Sequence, residues 1–186
     1  HQISILEAKL KVDDNVTGTK WNFPKVDFVF LRENKEIKAT LFSELGVLGN
    51  ASRLMAKLNF RANAKELDAK LELENFPFHK LGDLFPKFEF LKDAHLLFTG
   101  GMETRISLTG KILNSQFRFS GSNGVIKPNE FWPMGLRVSN FDLSGKFDSS
   151  PNSLELEKLN INLGGTKVRV GGTIIPVDEG VSVSGR

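Results

Sequence analysis

Apolar and polar residues alternate with a period of two through most of this sequence. In the first such run, Leu6, Ala8 and Leu10 are separated by Glu7 and Lys9. Successive side chains of a strand point to opposite faces of its sheet, so this pattern predicts strands with one apolar and one polar face. Comparable runs occur at 37–41, 54–62, 67–73, 106–108, 117–119, 154–163, 168–170 and 181–183.

Short breaks rich in Gly, Asn and Ser separate these runs, which is typical of turns between strands. We predict turns at 15–18, 100–101, 121–124, 145–148, 149–152, 164–165 and 171–172. Strands of five to ten residues joined by such turns predict an all-β fold, an elongated meander of antiparallel strands.

Residues 51–74 are ambiguous, because they are rich in Ala, Leu, Lys and Glu and also match helical spacing. We favour two strands here. The apolar residues occupy even positions up to Ala62 and odd positions from Leu67 onward. A hairpin turn across 63–66 would produce that change of parity.

Three other segments depart from simple alternation. Residues 79–85 precede Pro86 and predict a short helix, and residues 42–51 predict an irregular segment; both are expected to cap the sheet. In residues 26–31 the alternation does not show which residues face inward, because both the even-numbered Val26, Phe28 and Phe30 and the odd-numbered Val29 and Leu31 are apolar.

The 186 residues are expected to form a single β-rich domain, 1–186, because no linker longer than a turn interrupts them. The chain begins at His1 and ends directly after a strand-like run, so we interpret it as a fragment of a longer protein. Its net charge of +3 is spread evenly, which argues against a nucleic-acid partner.

The sequence offers little for catalysis or for a cofactor. Cysteine is absent, and His1, His79 and His95 lie far apart in the sequence without a second ligand at metal-binding spacing. Neighbouring acids such as Asp142 and Asp148 are expected in turns, where they cap backbone groups. We therefore expect no enzyme activity, no metal and no cofactor.

The chain has sixteen Phe and no Tyr, which fits either a Phe-rich core that lacks Tyr by chance or an apolar surface. A sheet with one apolar face can curl into an open groove that lodges acyl chains, or it can close into a β-sandwich. The candidate groove residues are the apolar members of the alternating runs: Leu58, Phe60, Leu67, Leu71, Leu73, Ile106, Leu108, Phe117, Phe119, Leu156, Ile161, Val168 and Val170.

From Leu71 the sequence reads LELENFPFHKLGDLFPKFEFLKDAHLLFTGGMETRISLTGKI, and GVIKPNEFWPMGLRVSNFDLSGKFDSSPNSLELEKLNINLGGTKVRVGGTI follows downstream. Strands, an Asn-Phe turn, a short helix ending in Leu-Phe-Pro and Gly-punctuated hairpins follow one another in this order. Over about residues 67–185 the chain resembles the AsmA-like superfamily of Gram-negative envelope proteins, particularly its YhdP-type members, with TamB as a more distant relative.

This resemblance implies a long periplasmic β-structure with an apolar groove, in a protein anchored in the inner membrane by a segment outside this chain. The implied function is transfer of phospholipid between the inner and outer membranes in outer-membrane biogenesis, with other envelope proteins as further partners. The competing hypothesis is a structural or protein-binding β-module whose apolar face is buried in a closed core.

Overall fold

The computed structural model describes residues 1–14, 19–33, 36–47, 50–61, 63–80, 92–127, 135–177 and 180–185. Its strands form one antiparallel sheet in which all eleven follow sequence order. They are β1 (Gln2–Asp14), β2 (Thr19–Glu33), β3 (Glu36–Val47), β4 (Asn50–Arg61), β5 (Glu66–Pro77), β6 (Ala94–Ser107), β7 (Ile112–Ile126), β8 (Leu136–Asp148), β9 (Ser153–Leu163), β10 (Thr166–Val177) and β11 (Gly180–Gly185).

The predicted all-β meander is confirmed, and the sheet is open. Strands β1 and β11 form its two edges, so the described strands do not close into the alternative β-sandwich. One layer of strands therefore carries the whole fold.

The parity change between Ala62 and Leu67 is correctly explained by a hairpin. Strands β4 and β5 pair antiparallel, with Arg61 opposite Glu66 and Phe60 opposite Leu67. The helical interpretation of residues 51–74 is wrong, because cross-strand packing of the alternating Leu and Ala side chains outweighs their helix propensity.

Several predicted turns are wrong, because their glycines lie inside strands. Residues 100–101 belong to β6, 121–124 to β7, 145–148 to β8 and 171–172 to β10. The turns at 149–152 and 164–165 are confirmed. Gly164 and Gly165 have φ of 57° and 104°, as a tight two-residue hairpin requires. The segment 15–18 lies outside the described residues.

Phenylalanine rings explain why glycines occur within strands β6, β7 and β8. At three points a Gly lies directly opposite a Phe of the neighbouring strand, and the ring lies over the space that a Cβ would fill. A Cβ at Gly145, for example, would be 2.6 Å from Cζ of Phe117. Rings that cover glycines restore apolar contact where the backbone has no side chain of its own. The pairs are Gly100 with Phe119, Gly121 with Phe141, and Gly145 with Phe117.

Bulges bend the sheet at three residues with positive φ. Glu7 in β1, Asn75 in β5 and Asn123 in β7 have φ of 54°, 52° and 56°. Each coincides with a shift in the pairing register. Because bulges increase the local twist and bend of a strand, they favour a curled sheet over a flat one.

The two predicted capping segments have different outcomes. The expectation of an irregular segment at 42–51 is wrong, because most of it belongs to β3 and β4, which pair from Val47 and Asn50 onward. Residues 79–80 are helical, whereas 81–85 lie outside the described residues. Within the described ranges, no helix has the length and apolar character that crossing a membrane requires.

The best-buried side chains gather near the end of the sheet where β5 leads toward β6. Val138 is fully buried and Phe98 is 3% exposed. Burial this complete in a single layer needs a cover. Phe78 contributes to that cover, because its ring packs edge-on against Phe98 and Phe141, with centroids 5.0 and 5.6 Å away. We call this cluster the aromatic end: Leu73, Phe76, Ala94, Leu96, Phe98, Val138 and Phe141, with the partly buried Phe78 packed against them.

The Phe–Gly pairs predict that Gly145→Ala destabilises the protein. The added methyl would meet Phe117 at 2.6 Å and the carbonyl oxygen of Glu155 at 2.5 Å. We expect a loss of about 2 kcal/mol in the free energy of unfolding, measured by urea denaturation. Gly171→Ala is the matched control, since its Cβ would have only ordinary contacts at 3.4 Å and beyond. Equal stability of the two variants would contradict this explanation of the glycines.

Candidate functional site

One face of the sheet, here called the apolar face, follows directly from the strand register. Residues directly opposite each other in antiparallel strands share a face, so a row of partners can be traced across the sheet. The central row crosses all eleven strands and contains only apolar side chains and glycine. Its members are Ile5, Phe28, Leu41, Ala56, Leu71, Met102, Phe117, Gly145, Leu156, Gly172 and Gly185.

All but one of the predicted groove residues lie in this row or within two rows of it. The exception is Leu108, which lies in the turn after β6 and is exposed. The register places the others together on the apolar face: Leu58, Phe60, Leu67, Leu71, Leu73, Ile106, Phe117, Phe119, Leu156, Ile161, Val168 and Val170.

The register also settles the face of residues 26–31. Phe28 and Phe30 lie opposite Leu41 and Ala39, so the even-numbered residues belong to the apolar face. Sequence reasoning missed Met102 and Leu143 on that face, because both are close to glycines that were taken for turns. The signal was present, since the even-numbered alternation of Phe98, Gly100 and Met102 continues without a break.

Three hydroxyls of the apolar face donate to the backbone, whereas Oγ of the buried Ser115 on the same face has no hydrogen-bond partner among the described residues. The hydroxyls of Ser43, Ser52 and Thr104 donate to the carbonyl oxygens of Lys25, Asn75 and Asn114, at 2.9, 2.7 and 3.1 Å. Hydroxyls that are satisfied in this way do not need water. Of the side chains that the structure describes on this face, only that of Arg32 is charged.

Exposure divides the apolar face into two parts. The aromatic end is covered, whereas the rows farther along the strands and toward both edges remain open. Leu58 is 41% exposed, Val170 is 43% exposed and Val183 is 70% exposed. Contiguous exposed apolar surface of this kind is typical of sites that bind another apolar body.

The opposite face, here called the charged face, carries ion pairs between neighbouring strands. Nε of Arg105 lies 2.9 Å from Oδ1 of Asp68, and Nζ of Lys70 lies 3.0 Å from Oε1 of Glu103. Hydrogen bonds to Glu103 and Glu72, with their negative charge, raise the pKa of Lys70. The hydrogen bond from Lys146 lowers the pKa of Glu157. These exposed pairs add little stability individually, but they keep this face hydrated.

A depression of about 780 Å³ lies mainly on the charged face. Seven of its nineteen lining residues are charged, among them Arg53, Lys70, Glu72 and Arg118. Leu73, Met102 and Phe117, which belong to the apolar face, also border this depression.

The structure corrects one expectation about titratable groups and adds one spatial relation that the sequence did not show. His79 and His95, distant in sequence, are neighbours in space with ring centroids 5.6 Å apart. Asp142 lies within β8 and not in a turn, and its Oδ2 is 3.4 Å from Nζ of Lys158. Over the described ranges, no three His, Cys, Asp or Glu residues come together in a way that could hold a metal ion.

No family model, no curated protein and no solved structure matches this chain. The resemblance to the AsmA-like superfamily therefore stays a prediction from the residues that carry it.

Because the aromatic end is covered and the rest of the apolar face is open, we predict that a charged substitution destabilises the first part far more than the second. Phe98→Glu places a carboxylate in the covered aromatic end and should cost several kcal/mol, enough to abolish the folding transition. Val170→Glu places the same group on the open part and should change stability by about 1 kcal/mol or less. Thermal melts followed by circular dichroism measure both, and equal destabilisation would contradict the division.

Proposed function

We propose that this chain is a segment of a lipid-transfer conduit that carries phospholipid acyl chains along its apolar face. The observation that carries the proposal is the central row, in which no polar side chain interrupts the path across eleven strands. With strands about 4.8 Å apart, this row is about 48 Å long measured along the sheet. Its proposed setting is the periplasm, between the inner and outer membranes.

The physical chemistry of the apolar face suits acyl chains, which make no polar contacts of their own. Each methylene of an acyl chain that leaves water contributes about 0.8 kcal/mol, whichever apolar side chains it touches. Ile, Leu, Met or Phe occupies seven of the eleven positions of the row, and Ala or Gly occupies the other four. No position along the row is expected to bind an acyl chain much more tightly than its neighbours, so the chain can move along the row.

The proposed role is non-enzymatic and needs no cofactor in this segment. The chain supplies the apolar surface. The lipid concentration gradient, or other parts of the protein, would drive the movement of the lipid. We place the membrane anchor in a segment outside this chain and include other envelope proteins among its partners. The support for both is the sequence resemblance.

A narrower form of the alternative function rests on β1. This edge strand exposes Ile3 and Leu6, at 58% and 66%. Exposed edge strands accept a further strand from another protein through main-chain hydrogen bonds. A protein-binding module would use this edge and would leave the central row without a ligand.

Met102→Arg tests the conduit proposal at the middle of the central row. Met102 lies opposite both Leu71 and Phe117 and is 36% exposed, so the variant should fold. A guanidinium there removes contact with about two methylenes, which lowers the affinity for phospholipid about tenfold. Native mass spectrometry of the protein with dioleoyl phosphatidylglycerol measures the bound fraction.

Gln116→Arg is the matched control, because it adds the same charge to the exposed residue next to Phe117 on the charged face. It should leave lipid binding unchanged. Equal binding by the parent and Met102→Arg would refute the conduit, as would a parent protein that binds no lipid. Capture of a protein partner without lipid would favour the edge-strand alternative.

A further inference from the structure

Arg32 stands out on the apolar face because of its charge. It lies opposite Ile37 near the end of β2, and Ile37 in turn lies opposite Phe60. Phe60 and its partner Leu67 belong to the apolar face, so the register places Arg32 there as well. No other charged side chain that the structure describes on this face accompanies it.

The acids closest to Arg32 in sequence are engaged elsewhere. Glu33 and Glu36 lie opposite each other on the charged face. Nζ of Lys38 lies 3.5 and 3.2 Å from their carboxylate oxygens, and the hydrogen bond to Glu36 raises the pKa of Lys38. Within the described residues Arg32 itself forms no ion pair, and its side chain is exposed.

The backbone of Arg32 is fixed, which limits where its guanidinium can reach. Its amide N–H donates to the carbonyl oxygen of His1 at 2.8 Å, and the carbonyl oxygen of Arg32 accepts from the His1 amino group at 3.1 Å. The rows of the apolar face are about 7 Å apart along a strand. Arg32 is therefore one row beyond Phe30 and Ala39, at the margin of the apolar surface, and a side chain of its length can reach that row.

We propose that Arg32 binds the phosphate of a phospholipid whose acyl chains lie on the neighbouring apolar rows. The inference rests on the conduit function proposed above and adds the chemistry of the head group. A guanidinium donates two parallel hydrogen bonds to phosphate oxygens, a geometry that an ammonium group cannot reproduce. An anionic head group beside an otherwise uncharged face would give the lipid a fixed orientation, with its phosphate at the end of the sheet that holds the β2–β3 connection.

The test compares two lipids that share their acyl chains and differ in the phosphate. Dioleoyl phosphatidylglycerol and dioleoylglycerol are offered separately, in the same detergent, to the parent protein and to Arg32→Gln. Native mass spectrometry reports the bound fraction of each. We expect Arg32→Gln to lose about tenfold in affinity for the phospholipid, as a charged hydrogen bond warrants, and to bind dioleoylglycerol like the parent.

Two variants serve as controls. Arg32→Lys keeps the charge but not the paired donors, and it should recover only part of the loss. Arg53→Gln removes an arginine from the charged face, where it pairs with Glu74 at 3.1 Å. It should leave the affinity for both lipids unchanged. Circular dichroism confirms that each variant is folded.

The outcomes separate this inference from the conduit itself. Arg32→Gln that binds both lipids like the parent overturns the role of Arg32 and leaves the conduit standing. An equal loss for both lipids also overturns it, because the side chain would then only cover apolar surface with its stem. A parent protein that binds neither lipid overturns both proposals. Full competition by inorganic phosphate would make Arg32 a free-phosphate site and overturn the lipid assignment.

Discussion

Strand register is the constraint on which the rest of this structure depends. The side-chain period of a strand is two, so a slip of one residue would exchange the apolar and charged faces of that strand. The observed register aligns the apolar partners of eleven strands on one side. Cross-strand ion pairs such as Arg105 with Asp68 stabilise the same register from the other side. The uninterrupted central row is a consequence of this agreement.

A second consequence concerns what covers the apolar face. Protein domains usually bury such a face against another layer of helices or strands. Here the described strands form one layer, and the aromatic end is covered while Met102 and Val170 are not. In the proposed function, acyl chains occupy the place that a second sheet holds in a sandwich. The charged face carries ion pairs between exposed side chains of neighbouring strands.

The sequence predicts where strands occur far better than where they begin and end. Alternation is a local signal, and the parity change at 63–66 was enough to place the β4–β5 hairpin. Gly100, Gly121 and Gly145 were misread because glycine marks both turns and close cross-strand contacts. Only the partner strand shows which one applies, through the Phe ring that lies over each glycine. The proximity of His79 and His95 was unpredictable for a similar reason, since it depends on the pairing of the end of β5 with the start of β6.

The central claim is that lipid contacts one face of an open sheet, and photo-crosslinking measures this directly. The protein is loaded with a phospholipid that carries a photoactivatable group on its acyl chain, and the complex is irradiated. Mass spectrometry then maps the labelled residues. We predict labels at apolar-face residues such as Leu58, Met102 and Val170, and none at their charged-face neighbours Lys57, Glu103 and Arg169. Equal labelling of both faces, or labels confined to the charged face, would contradict the account.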